Sequence, residues 1–82
     1  IVAGAIILVF NNQKKDILKK SSEIQFEFSE VILSVQGFYL SEQSYLEIIA
    51  VKGPSRILTK ASEKLIGIKG IQHGKLVMSK AE

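Results

Sequence analysis

Val2 to Phe10 is almost wholly apolar and rich in branched side chains, a run whose length suits a strand buried on both faces rather than a helix. Asn11 and Asn12 then offer side-chain oxygens for a helix start. Gln13 to Gln25 follows with good helix formers and with Ile17 and Ile24 one heptad apart, which predicts an amphipathic first helix. From Val31 to Leu40 the period falls to two, predicting a second strand. Val31, Leu33, Val35, Gly37 and Tyr39 share one of its faces, and Ile32, Ser34, Gln36 and Phe38 the other. The short polar connection Ser41 to Ser44 leads into a third strand, Tyr45 to Lys52, with Leu46, Ile48 and Ala50 on one side and Tyr45, Glu47, Ile49 and Val51 on the other. Gly53 and Pro54 break that strand. Within Ser55 to Ile66, Ile57, Leu58, Ala61 and Leu65 recur at helical spacing, and Gly67 is placed to stop this second helix. Beyond Lys69 and Gly70, Ile71 to Ser79 returns to strand composition at Leu76, Val77 and Met78.

The succession strand, helix, strand, strand, helix, strand points to an α+β fold, a ferredoxin-like (ACT-like) βαββαβ sandwich. In it two right-handed crossovers lay both helices on one face of a four-stranded antiparallel sheet. Residues 1–82 form one domain with no linker, repeat or low-complexity tract, near the lower end of what folds alone. The sheet face without helices needs cover, so the pattern predicts a homo-oligomer, at least a dimer.

Composition acts mainly by exclusion. The chain has no cysteine and one histidine, which removes disulfides, thiolate metal sites and any histidine cluster built on a single chain. Much of the net charge of +3 comes from Lys14, Lys15, Lys19 and Lys20, which read either as a solvated helix face or as a face toward a polyanion such as DNA. No apolar run approaches the roughly 20 residues that span a bilayer, and Ile1 to Phe10 lacks the pattern of a signal peptide, so a soluble cytoplasmic protein is expected, with no membrane partner. The chain opens with Ile1 inside a predicted strand, so an upstream segment is expected. Glu23, Glu27, Glu30, Glu42 and Glu47 show no spacing that calls for paired acid and base roles, and no nucleophile stands with a base; an enzyme is not expected. Glu47 shares a strand face with Tyr45 and is expected to hydrogen-bond at a subunit contact.

Longer stretches carry a family resemblance. Leu46-Glu47-Ile48-Ile49-Ala50-Val51-Lys52-Gly53, followed by Lys69-Gly70-Ile71-Gln72-His73-Gly74-Lys75-Leu76-Val77-Met78, is similar to the last two strands of nickel-responsive transcriptional regulators, the NikR family. Val2-Ala3-Gly4-Ala5 and Val9-Phe10-Asn11 resemble its first strand and the lead into its first helix. The match spans essentially the whole chain. It implies a C-terminal regulatory and tetramerisation domain, a dimer of dimers, normally preceded by a ribbon-helix-helix DNA-binding domain that this chain lacks.

The resemblance also implies a square-planar nickel held by three histidines and one cysteine, one histidine coming from a neighbouring subunit. Nitrogen and sulfur donors of this kind suit Ni(II). Matched one by one, the two histidines of the second strand fall at Gly37 and Tyr39, the cysteine at Tyr45, and the partner's histidine at Phe26. None of the four can replace its counterpart, so neither nickel nor another cofactor is expected. Two readings stay open for these positions. Phe26, Tyr39 and Tyr45 pack as an aromatic interface, or Gly37 opens an aromatic-walled pocket for a small organic effector. His73, present in the family without being a nickel ligand, reads as structural. The main-chain carbonyls of Ile66, Ile68 and Ile71 match a family cation site near the DNA-binding domain. The function implied is ligand sensing and oligomerisation in a NikR-like regulator that has not kept its nickel site. The alternatives are a stand-alone ACT-like domain that binds a metabolite and controls an enzyme, and a purely structural assembly module.

Overall fold

The computed structural model describes residues 1–81, the side chain of Lys15 excepted; Glu82, the last residue of the expected domain, lies outside the described residues. The elements run β1 (Val2–Asn11), α1 (Lys15–Glu27), a 3₁₀ turn (Ser29–Val31), β2 (Ile32–Tyr39), β3 (Ser44–Gly53), α2 (Ser55–Ile66) and β4 (Ile71–Lys80). The strands form one sheet in the order β2-β3-β1-β4, with every neighbouring pair antiparallel. This is the βαββαβ sandwich that the residue pattern predicts.

Alternation decides which side chains meet the helices. Ile6, Leu8 and Phe10 of β1 and Ile49 and Val51 of β3 are buried on the helix side, where they pack with Ile17 of α1 and with Leu58, Ala61 and Leu65 of α2. The expected heptad pair behaves accordingly: Ile17 is buried and Ile24 packs partly against the core. Gly74 sits beneath the end of α2, where a Cβ would come within 2.5 Å of Ile66, so the missing side chain lets helix and sheet close up.

Three expectations need correction. The first helix starts at Lys15 rather than Gln13, because Asn11 Oδ1 accepts the Gln13 amide at 2.9 Å and forms a turn instead of a cap. Val31 is not the first residue of β2; it lies in the 3₁₀ turn, buried against Gly53. The strand then shifts register between Ile32 and Ser34. Ile32 therefore takes the helix side and packs on the core while Leu33 is 65% exposed, the reverse of strict alternation.

β1 is also not buried on both faces by its own chain. Ala3, Ala5, Ile7 and Val9 point to the other side of the sheet, in register with Leu46, Ile48 and Ala50 of β3, and all are only half-buried. Phe38 and Val77 extend this apolar face and are exposed.

Candidate functional site

Gly37, Tyr39 and Tyr45 come together at one corner of the sheet, on the side that carries the helices. Tyr39 and Tyr45 are register partners across β2 and β3, and Gly37 pairs with Glu47. The tyrosine rings meet edge to face with centroids 5.1 Å apart, and Tyr45 also contacts the buried Phe10 ring at 5.4 Å. Such pairs add to what area burial alone gives. The space over Gly37 is filled by Tyr45: a Cβ built on Gly37 would lie 1.7 Å from the Tyr45 hydroxyl. Within one chain, glycine and phenol interlock where the sequence left an opening to be expected.

Phe26 stands apart from this group. It is 84% exposed near the end of α1 and, among the described residues, stacks on no other ring; Tyr39 is 75% exposed. Three of the four positions therefore converge, and the fourth, Phe26, lies exposed on α1 away from them.

Glu47 lies beneath the corner and is only 5% exposed. The Ser21 hydroxyl donates to its Oε1 at 2.7 Å, while the Gln25 amide donates to Ser21 Oγ at 2.9 Å and more weakly to Oε1 at 3.4 Å. This corrects the expectation that Glu47 serves a subunit contact, because its place on the helix-covered face ties it to its own α1. Ser21 and Gln25 were missed in the sequence. The signal was there: Ser21 is polar yet follows Ile17 by one helical turn on the buried stripe, and Glu47 is the polar member of an apolar strand face.

An expected result follows from the interlock. Gly37→Ala forces the Tyr45 ring away from Phe10 and Tyr39, lowering stability by about 1 to 3 kcal/mol and changing the near-ultraviolet tyrosine dichroism. In a Tyr45→Ala background the same substitution is nearly neutral, a coupling that denaturant titration of the four proteins reads directly. Simple additivity is the outcome that refutes it.

The remaining candidates are dispersed. His73 is exposed on the helix-free face opposite Val9. Ile66, Ile68 and Ile71 flank the α2–β4 turn, where the Ile68 carbonyl already accepts the Ile71 amide at 3.1 Å. Among the described residues no group of three or more His, Cys, Asp or Glu side chains converges. Two phenols, a phenyl ring and a glycine do not fit nickel, whose preferred donors are imidazole and thiolate.

A family model described as the NikR C terminal nickel binding domain matches residues 3–79. The chain belongs to that family. Among its relatives, a protein of Syntrophus aciditrophicus described as a nickel-responsive regulator is 42% identical over 95% of this chain, and one of Thermococcus onnurineus with the same description is 37% identical over the same share. The chain spans 57% and 56% of the length of those two proteins. An uncharacterized protein of Thermotoga maritima superposes with a TM-score of 0.81 at 24% identity, covering 95% of this chain and 96% of its own. The ACT domain of the GTP pyrophosphokinase of Chlorobium tepidum gives 0.67 at 13% identity over 92% and 96% of the two chains. At such low identity these likenesses speak to the fold, and they agree with an ACT-like NikR C-terminal domain.

Proposed function

We propose that this chain is the regulatory and assembly domain of a NikR-like transcription regulator in which an aromatic interlock has replaced the nickel site. The observation that supports this reading is the Tyr45 hydroxyl seated over Gly37, which leaves no room there for a larger side chain. Assembly is supported by the exposed Phe26 and Tyr39 and by the half-buried apolar face of Ala5, Ile7, Val9, Leu46 and Ile48. The domain forms a homotetramer as a dimer of dimers, acts in the cytoplasm without catalysing a reaction, and reaches DNA through a ribbon-helix-helix domain in the rest of the protein. Any effector held at the corner is a small organic molecule that displaces or stacks on Tyr39 and Tyr45.

Equilibrium dialysis of chelator-stripped protein, run beside light scattering, tests this. No nickel uptake together with a tetrameric mass is the expected result. Tight binding near one nickel per chain overturns the replacement, and a monomeric mass overturns the assembly role.

One observation favours a second reading, a stand-alone ACT-like domain that controls an enzyme: the Thermotoga maritima chain is covered over 96% of its length by this fold alone. The sequence upstream of Ile1 in the gene distinguishes the two, because a ribbon-helix-helix segment there supports the regulator and its absence supports the stand-alone domain.

A further inference from the structure

A cleft of about 370 Å³ opens between the start of α1 and the turn from α2 into β4, at a place unrelated to the aromatic corner. Its walls are Lys14, Asp16 and Lys20 from one side and Lys69 from the other, with Ile17 and Gly70 between them. The turn can come this close because residue 70 has no side chain. Its φ is +105°, which favours glycine, and a Cβ there would lie 2.7 Å from Ile17 Cδ1 and 3.8 Å from Lys14 Cδ. The bare backbone at Gly70 therefore sets Lys69 across the recess from Lys14 and Lys20.

Three lysines thus line one recess beside a single acidic residue. Among the described residues the salt bridge formed is Lys64 with Glu27, so Lys14, Lys20 and Lys69 have no acidic side chain at ion-pair distance. Like charges gathered around a concave surface repel one another and raise the local concentration of anions. Lysine is a compact point charge that serves phosphate well, and the volume falls in the range of small-molecule sites, roughly 300 to 1,000 Å³. A monoanion would leave most of the repulsion in place, whereas a ligand carrying two or more negative charges offsets it.

We propose that this cleft binds a small phosphorylated metabolite, with Lys14, Lys20 and Lys69 holding its phosphate oxygens and the Ile17 side chain meeting its less polar part. The site gives the domain an anionic effector position separate from the positions that carry nickel in the family, and it does not depend on the fate of the aromatic corner.

The test is calorimetric titration of the full protein with inorganic pyrophosphate, repeated with a duplex DNA oligonucleotide. Pyrophosphate is expected to bind saturably. Lys20→Ala and Lys69→Ala each weaken it by about tenfold, the loss of one charge-assisted contact. Asp16→Asn tightens it several-fold by removing the one repelling charge, an effect that a merely structural role for Asp16 would not give. Lys80→Ala, on β4 outside the cleft, leaves it unchanged. The proposal is overturned if pyrophosphate does not bind, if Lys80→Ala weakens binding as much as Lys69→Ala does, or if only duplex DNA binds, in which case the lysines form a nucleic-acid face.

Discussion

A chain carrying Phe26→His, Gly37→His, Tyr39→His and Tyr45→Cys together is expected to take up roughly one nickel per chain, with the visible absorption of a low-spin thiolate complex, where the unaltered chain takes up none. The reasoning is geometric. Residues 37 and 39 are two apart on one strand face and so aim the same way, and residue 45 is the register partner of residue 39. The backbone therefore gathers residues 37, 39 and 45 around one point, and the exposed Phe26 of α1 is the position that the proposed assignment gives to a neighbouring subunit. The three histidine substitutions without Tyr45→Cys should fail, because any side chain at 37 runs into the Tyr45 hydroxyl at 1.7 Å. Metal analysis after dialysis and an absorption spectrum decide the matter. Equal nickel uptake with Tyr45 retained would refute the interlock, and no uptake by the fourfold variant, still folded and assembled, would show that the corner has lost the metal geometry as well as the donors.

Phe10→Ala is expected to cost about 3 to 5 kcal/mol. Phe10 is fully buried, heads the largest side chains of the core, and supports Tyr45 from below at 5.4 Å. A domain of this length holds on the order of 4 to 12 kcal/mol in all, so the variant stands at or near unfolding at 37 °C. Chemical denaturation measures it, with Phe10→Leu as the milder comparison. A loss below about 1 kcal/mol would mean that the ring does not fill the core as described. Because the ring also carries the corner, the variant should loosen Tyr45 before it unfolds, and the tyrosine dichroism is expected to fall earlier in the titration than the helical signal.

The architecture was legible because period and length agreed in every element. The apolar run from Val2 to Phe10, the alternation through Val35, Gly37 and Tyr39, and the helical spacing of Leu58, Ala61 and Leu65 each admitted one assignment. Legibility failed where backbone hydrogen bonding overrode the side-chain pattern. Asn11 spends its oxygen on Gln13 and delays the helix, and the register shift after Ile32 turns Leu33 outward without any change in hydrophobicity to announce it. At the candidate site, parity put Gly37 and Tyr39 on one face of β2, and only the family resemblance joined Tyr45 to them. That the Tyr45 phenol settles on Gly37 required the distance between strands, which no linear pattern contains. The Ser21, Gln25 and Glu47 network stayed hidden for a related reason, since its partners are 22 and 26 residues apart.

The position of β1 bears on how the molecule assembles itself. The first strand in the sequence is an inner strand of the sheet: Ile6 faces Ile49 on one side and Leu76 on the other. Neither neighbour is local, so ring closure over long stretches of chain must precede most of the stabilising contacts, and folding is expected to be slower than helix content alone suggests. Of the four strands of this domain, β1 is synthesised before the others and waits for both flanks. Until β4 docks, its apolar residues and one edge stay open to any other strand, so the interval before the last ten-residue strand arrives is when this chain is most exposed to aggregation.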